Sequence, residues 1–225
     1  MFKRILTFCL MAILGCFTIT AQAADRWKWY YSSEHYGYYY DTQTVTYDAE
    51  SQSATVWIKE LFEDGSLLEE RHIMLDYGHK TLDTYEYVTY PYRKDGPPKR
   101  MQPSTIYFEI LSPDSPNETL ARMVAGQLGI QPMYQAGPDR WKWIRATDEY
   151  SLYIAKDAIV YSTDKRGYSI WAKRVYLNGN ERKTQYFCDT IANLVRTEYS
   201  SWNSPLPDSD EEAVLNAVKA LNVGA

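Results

Sequence analysis

The side chains able to do chemistry are few and scattered. The chain holds three histidines, His35, His72 and His79, all in its first half. A zinc site would need paired histidines or a Cys/His cluster. Neither spacing occurs, so no metal ligand set is expected. There is no Gly-x-Ser-x-Gly turn for a nucleophilic serine and no glycine loop of the kind that cradles phosphate. Beyond the N-terminal segment the one thiol is Cys188, and a Cys–His pair would need it to reach a histidine in the other half of the chain. Glu60, Glu63, Asp64, Asp83 and Glu86 could furnish a carboxylate pair for acid–base work, but almost any chain offers such a set. The expectation is a non-enzymatic protein with no cofactor.

Aromatic side chains are the unusual feature, with 21 Tyr and 7 Trp. In the run His35-Tyr36-Gly37-Tyr38-Tyr39-Tyr40, a strand places Tyr36, Tyr38 and Tyr40 on one face and Tyr39 on the other. A small domain does not bury phenols on both faces without cost, so some rings are expected at the surface. Tyrosine suits recognition because it offers rigid area and a hydroxyl. The plainer reading is sheet filling by residues of high strand propensity. The second candidate surface is residues 92–100, where Arg93, Lys94, Lys99 and Arg100 surround Gly96-Pro97-Pro98. Proline and glycine are expected to stop a ladder there, leaving a basic loop that is either simply solvated or a contact patch. The expected ligand is a protein or a glycan. A net charge of −5 argues against nucleic acid, which calls for a basic field.

The elements that position these groups are set by a repeat. Asp25-Arg26-Trp27-Lys28-Trp29 returns as Asp139-Arg140-Trp141-Lys142-Trp143. The register then holds without a gap: Tyr39 falls on Tyr153, Tyr47 on Tyr161, Trp57-Ile58-Lys59 on Trp171-Ala172-Lys173, and Gly65 on Gly179. Two related modules in tandem are therefore expected, with residues 24–130 the first, 131–138 a linker and 139–225 the second. Alternation of period two predicts strands over 26–31, 36–40, 44–47, 54–62, 67–75, 84–90 and 105–111, then 140–145, 150–154, 158–161, 169–176, 184–188 and 194–199. In the first strand Trp27, Trp29 and Tyr31 should share one face. Asp64-Gly65 and Asn178-Gly179 read as hairpin turns. Ser115/Glu118 and Ser209/Glu212 are capping boxes that open two helices. The fold class is thus α+β, each module an antiparallel sheet of five or six strands with one C-terminal helix on a face. Trp29, Trp143, Trp57, Trp171, Tyr47 and Tyr161 recur in both modules and are expected as core or sheet-packing residues.

The N-terminus reads as an export signal. Lys3 and Arg4 precede an apolar run over residues 5–20, and Ala21-Gln22-Ala23 offers a cleavage site, so residues 1–23 are expected to be removed. A membrane anchor is the weaker reading, because the run is short for a span. Ile13-Leu14-Gly15-Cys16 loosely resembles a lipoprotein box, so lipidation at Cys16 is the alternative route to the envelope. No later stretch could cross a bilayer. The mature protein would be periplasmic, displayed on the surface or secreted. With Cys9 and Cys16 gone, Cys188 has no partner for a disulfide within the monomer. It is either buried or used between chains.

Several of these features resemble the surface-adhesin protein E-like family of exported bacterial proteins. In the second module they are Trp143, Tyr153 to Asp157 followed by Ala158-Ile159, Trp171-Ala172-Lys173, Phe187-Cys188-Asp189 and Trp202-Asn203-Ser204-Pro205 before a capped helix. In the first they are Trp29, residues 40–45, Trp57-Ile58-Lys59 and residues 113–123. The resemblance implies an antiparallel sheet with a C-terminal helix lying on it, and a binding role in the envelope. It also implies a cysteine at the position of Cys188 bonded to one near the end of the helix. That second cysteine is missing here, so the helix must be held by packing. The leading reading is an exported binding protein. The alternative is a structural component of the envelope that acts through self-association as a homodimer.

Overall fold

The computed structural model describes residues 26–91, 96–104, 108–162 and 167–221. The expected export signal with Cys16, and Arg93 and Lys94, lie outside these residues. The chain divides into two compact units. The first comprises the described residues up to Ile110 together with Thr119–Gln131, and the second Leu111–Glu118 with those from Pro132 onward. The fold is α+β: two sheets, antiparallel throughout their described pairings, and two helices.

The first unit carries eight strands: β1 (Trp27–Ser32), β2 (Tyr36–Asp41), β3 (Thr46–Asp48), β4 (Ser53–Phe62), β5 (Leu67–Asp76), β6 (Thr81–Thr89), β7 (Lys99–Met101) and β8 (Glu109–Ile110). Their order is β1-β2-β4-β5-β6-β7, with β3 joined to β4 and β8 to β6. Strict alternation in β4 buries Ala54, Val56 and Ile58 on an inner face, beside Tyr40, Ile73, Leu75 and Leu82 of the neighbouring strands. Lys99 and Arg100 form a ladder with Thr89 and Val88, so the expected break at Gly96-Pro97-Pro98 ends one residue before β7. Proline interrupts donation at its own position and leaves the next residues free to pair. Helix α1 (Pro116–Leu128) buries Leu120, Ala121, Val124 and Ala125. Tyr77 Oη donates to the Ala121 carbonyl at 2.8 Å and Gln127 Nε2 to the Thr42 carbonyl at 2.9 Å, tying the helix to the first unit.

The second unit carries β9 (Trp141–Ala146), β10 (Tyr150–Ala155), β11 (Val160–Ser162), β12 (Gly167–Tyr176), β13 (Glu181–Asp189), β14 (Leu194–Thr197) and α2 (Asp210–Ala220). The sheet runs β14-β13-β12-β10-β9, with β11 on β12. Its core joins Leu152, Ile154, Ile170, Tyr186, Cys188 and Val195 to Val214, Leu215 and Val218 of α2. Burying each aliphatic side chain of the helix stabilises its docking by about 1.5–3 kcal/mol. The first helical residue is also anchored. Asp210 Oδ2 accepts from Arg174 Nε at 2.7 Å and from the Tyr150 hydroxyl at 3.0 Å. Residues 131–138, expected as a linker, are partly embedded: Met133 and Tyr134 are buried, and the Tyr134 hydroxyl donates to the Leu111 carbonyl at 2.7 Å.

Local signals recur in pairs. Gly65 (φ +79°) and Gly179 (φ +84°) close the β4–β5 and β12–β13 hairpins in the left-handed region that favours glycine. Each donates its N–H at 2.9 Å, to Phe62 and Tyr176 respectively. Both helices start with a serine accepting from the glutamate N–H three residues on, Ser115 from Glu118 at 3.2 Å and Ser209 from Glu212 at 3.1 Å. Each glutamate reaches back to the residue before the serine, Asp114 N–H at 2.6 Å and Asp208 N–H at 2.8 Å. Among the described residues, no helix is long and apolar enough to cross a membrane.

Candidate functional site

The opening strands of the two units carry the same irregularity. Trp29 pairs with Tyr39 and Tyr31 with Tyr38, so Tyr30 is an extra residue in β1. Trp143 pairs with Tyr153 and Arg145 with Leu152, so Ile144 is the extra residue in β9. The bulge reverses the alternation of faces beyond it. Trp27 and Trp29 point outward, Tyr30 turns into the core at 3% exposure, and Tyr31 joins the face of Tyr38, with ring centroids 5.7 Å apart. The expected single face for Trp27, Trp29 and Tyr31 is therefore split.

With that register, one row crosses the first sheet on the face of Trp29: Trp29, Tyr39, Lys59, Glu70, Val88 and Arg100, of which Trp29 and Arg100 are exposed, the middle three half-buried and Val88 buried. Strand spacing of about 4.8 Å makes it some ~24 Å long. Lys59 Nζ sits 4.5 Å from the Trp27 ring centroid and 5.4 Å from that of Tyr39. Burial pulls the Lys59 ammonium below its usual range, while Glu70 and Asp41 oppose the shift. Next to this row Trp57 and His72 stack at 5.1 Å and 8°, and Tyr85 continues the line 5.8 Å from His72. Burial keeps His72 below the ordinary histidine value, against Glu86. The Trp29 indole N–H donates to Ser32 Oγ at 2.9 Å, which fixes the ring and leaves it 54% exposed.

The second sheet carries the corresponding row Trp143, Tyr153, Lys173 and Lys183. Lys173 Nζ lies 4.7 Å from the Trp141 ring, and Trp143 is 56% exposed. Lys183 stands where the first sheet has Glu70. It donates to the Pro113 carbonyl at 2.5 Å, and Lys173 pairs with Glu181 at 3.0 Å. Flat indole faces flanked by ammonium and carboxylate groups can stack on apolar C–H surfaces while hydrogen-bonding the hydroxyls around them.

Beneath the second row lies a buried ionic cluster. The Arg140 side chain is 2% exposed. It donates to Asp157 from Nε (2.9 Å) and Nη2 (2.8 Å), to Asp114 from Nη1 (2.9 Å), and to Glu118 from Nη1 (2.8 Å) and Nη2 (2.5 Å). The Trp141 indole donates to Asp114 at 2.8 Å. Burial alone would raise the Asp114 carboxyl, but Trp141, Lys183 and Arg140 outweigh it and hold the group below the usual carboxylate range. Arg26 makes the simpler counterpart, donating to Asp41 from Nε (2.8 Å) and Nη2 (2.6 Å). The one signal for this cluster in the sequence is the arginine of the repeat itself; Asp114 and Glu118 lie outside the repeated register, and Asp157 falls where the first half has Gln43.

The expected surface residues are dispersed by this geometry. Tyr40 is fully buried, because its pairing with Ile58 puts it on the inner face, so it cannot belong to a ligand surface. Tyr36 and Tyr38 share that inner side and are half-buried; Tyr36 packs on Phe62 with centroids 5.5 Å apart. Arg100 joins the outward row and pairs with Glu86 at 2.7 Å, while Lys99 is exposed on the edge strand. Trp29, Trp143, Tyr47 and Tyr161, expected as packing residues, are 54%, 56%, 37% and 58% exposed. They recur because they stand at equivalent outward or edge positions. Trp57 and Trp171 are half-buried. Cys188 is buried, and burial pushes its thiol up to about 12. Of the histidines, His79 Nδ1 lies 2.8 Å from the accepting Asp76 Oδ2 on an exposed turn, and His35 lies 3.5 Å from Glu63. No known protein family, curated protein or solved structure matches the chain.

Proposed function

We propose that this is an exported, non-enzymatic binding protein of the bacterial envelope that takes a glycan chain on its outward aromatic rows. The two units are read as divergent tandem copies of one module similar to the surface-adhesin protein E-like family. Matching registers, bulges, hairpin turns and capping boxes support that reading. The observation that carries the function is the Trp–Tyr–Lys row present in both sheets with its leading tryptophan more than half exposed. A large rigid ring held open to water beside a second ring and a cation offers contact area for recognition, and in the first unit its N–H is already held by Ser32. A glycan fits better than a flat protein surface because in each row two adjacent rings are followed directly by charged groups that can hydrogen-bond hydroxyls. Two such rows on one chain gain avidity toward a repetitive polymer.

The test is isothermal titration of the mature chain, starting at Ala24, with envelope and host polysaccharides. Trp29→Ala and Trp143→Ala should each weaken binding by about tenfold, and the double variant should abolish it, with unfolding transitions unmoved. Undiminished binding by the double variant would remove the rows from the ligand site. A well-defined homodimer with no polysaccharide binding would favour the self-association reading.

A further inference from the structure

One titratable ring on the face of Trp29 has no titratable counterpart in the second unit. Trp57 is directly opposite His72 in the β4–β5 ladder, and Trp171 is directly opposite Gln185 in the β12–β13 ladder. The repeat thus keeps the indole and changes its partner from an amide, which takes up no proton, to an imidazole, which does. The His72 ring lies flat on the Trp57 indole, with centroids 5.1 Å apart and planes at 8°, and the Tyr85 ring is 5.8 Å away. Glu86 stands directly opposite His72 on β6, and Arg100 of β7 already holds that carboxylate at 2.7 Å. The other charged groups on this face are set further along the ladder. Glu70 is two residues before His72, Lys59 is opposite Glu70 on β4, and Asp83 is opposite Met74 on β6. Burial disfavours the imidazolium more than Glu86 favours it, so His72 stays below its ordinary range.

We propose that the Trp57–His72 stack is a proton switch: the neutral imidazole stays on the indole, whereas the imidazolium leaves it for Glu86 and water, competes with Arg100 and loosens β7. Two observations set the direction. The ring is half-buried beside an indole and a phenol, a place that suits a neutral group. The carboxylate opposite is already paired, so a charged His72 gains its full attraction only when Arg100 gives way. β7 is three residues long and pairs with β6 alone among the described strands, so it is the element that responds. The sign follows from linkage. The folded protein binds fewer protons at His72 than the unfolded chain does. The stability tied to this site is therefore complete above the unfolded value of about 6.5 and is lost as pH falls from there through the folded value.

The experiment follows the mature protein by NMR from about pH 8 to about pH 4, reading imidazole C–H, indole N–H and backbone amide resonances. His72 should titrate below about 6.5, and the Trp57 indole and the amides of β7 should shift with the same midpoint. The Trp171 indole, beside Gln185, should stay in place through that step. His72→Gln, which copies the second unit, should remove the step from Trp57 and β7 without unfolding the protein, and His79→Gln should leave it intact. Glu86→Gln should move the His72 midpoint further down, because it removes the carboxylate that favours the charge. A midpoint at or above about 6.5 would mean that the imidazolium holds its place on the indole as a cation, and would overturn the proposal. A Trp57 indole that does not move with His72, or a step that persists in His72→Gln, would overturn it as well. These readouts need no ligand, so the switch and the glycan reading fail separately.

Discussion

Replacing Arg140 with methionine should remove much of the second unit's stability. The guanidinium makes five hydrogen bonds to three carboxylates while 2% exposed. Of its partners, Glu118 is 5% exposed, Asp157 15% and Asp114 48%. Asp114 reaches water and contributes little on its own. Glu118 and Asp157 would be left as buried carboxylates without their cation, a loss of about 3–5 kcal/mol. Against a typical domain stability of about 5–15 kcal/mol, that removes a large share. Arg26→Met is the internal control. Asp41 is fully buried, but here one carboxylate loses its cation rather than two. Arg26 is 46% exposed, and Asp41 Oδ1 still accepts from Gln43 N–H at 3.0 Å, so the loss should be nearer ~1–3 kcal/mol. Urea unfolding followed by tryptophan fluorescence measures both, and hydrogen exchange locates the loss in β9, β10 and the first turn of α1. A cost below about 1 kcal/mol for Arg140→Met, or one equal to that of Arg26→Met, would refute the clamp.

The depressed Asp114 carboxyl binds fewer protons folded than unfolded, so its stabilisation is complete above the unfolded value of about 3.9 and disappears as pH falls through the folded value. Thermal unfolding of wild type should therefore depend on pH below about 4, and Asp114→Asn should reduce that dependence by a small part, in keeping with its half-exposed position. A β-carbon on Gly167 would lie 2.1 Å from the Cys188 carbonyl oxygen, so Gly167→Ala should split β12 from β13 and lower the unfolding midpoint sharply, whereas Gly126→Ala, with open space around it, should not. The Cys188 thiol, buried and pushed up to about 12, should resist a thiol reagent at pH 8 and react only at the unfolding rate. Fast labelling of folded protein would contradict that burial.

Elements held by local chemistry are legible in the sequence. Both hairpins announce themselves through Asp64-Gly65 and Asn178-Gly179, and both helices through a serine with a glutamate three residues on. The inner face of β4 comes from simple alternation. Legibility stops where one residue changes the count. The bulge at Tyr30 reverses the faces in β1, and cross-strand pairing, invisible in a single strand, sends Tyr40 inward. Repetition of Trp29 and Trp143 suggests the core, yet a repeated residue marks only an equivalent position, and this one faces water. The ionic cluster is hidden for a different reason: Asp114 and Glu118 precede Arg140 by more than twenty residues and lie outside the strand pattern that contains it. β7 escapes the pattern because two prolines immediately precede it.

The shared bulge bears on how the chain avoids misassembly. Two edge strands that open on the same residues invite exchange, since each could enter the other's sheet and satisfy the same backbone ladder. The repeated arginine and tryptophans cannot discriminate, being identical. The choice falls to the residues from the bulge onward. Tyr30 fills a core site beside Tyr38 and Tyr40, with ring centroids 6.1 and 6.5 Å away, where Ile144 would leave a void. Arg145, the next residue in β9, donates to the Asp208 carbonyl at 2.5 Å just before α2, where the first unit has Tyr31 in its place. Exchange of the two strands would thus cost the packing of Tyr30 and the bond of Arg145, two side chains just past the shared Trp-Lys-Trp segment.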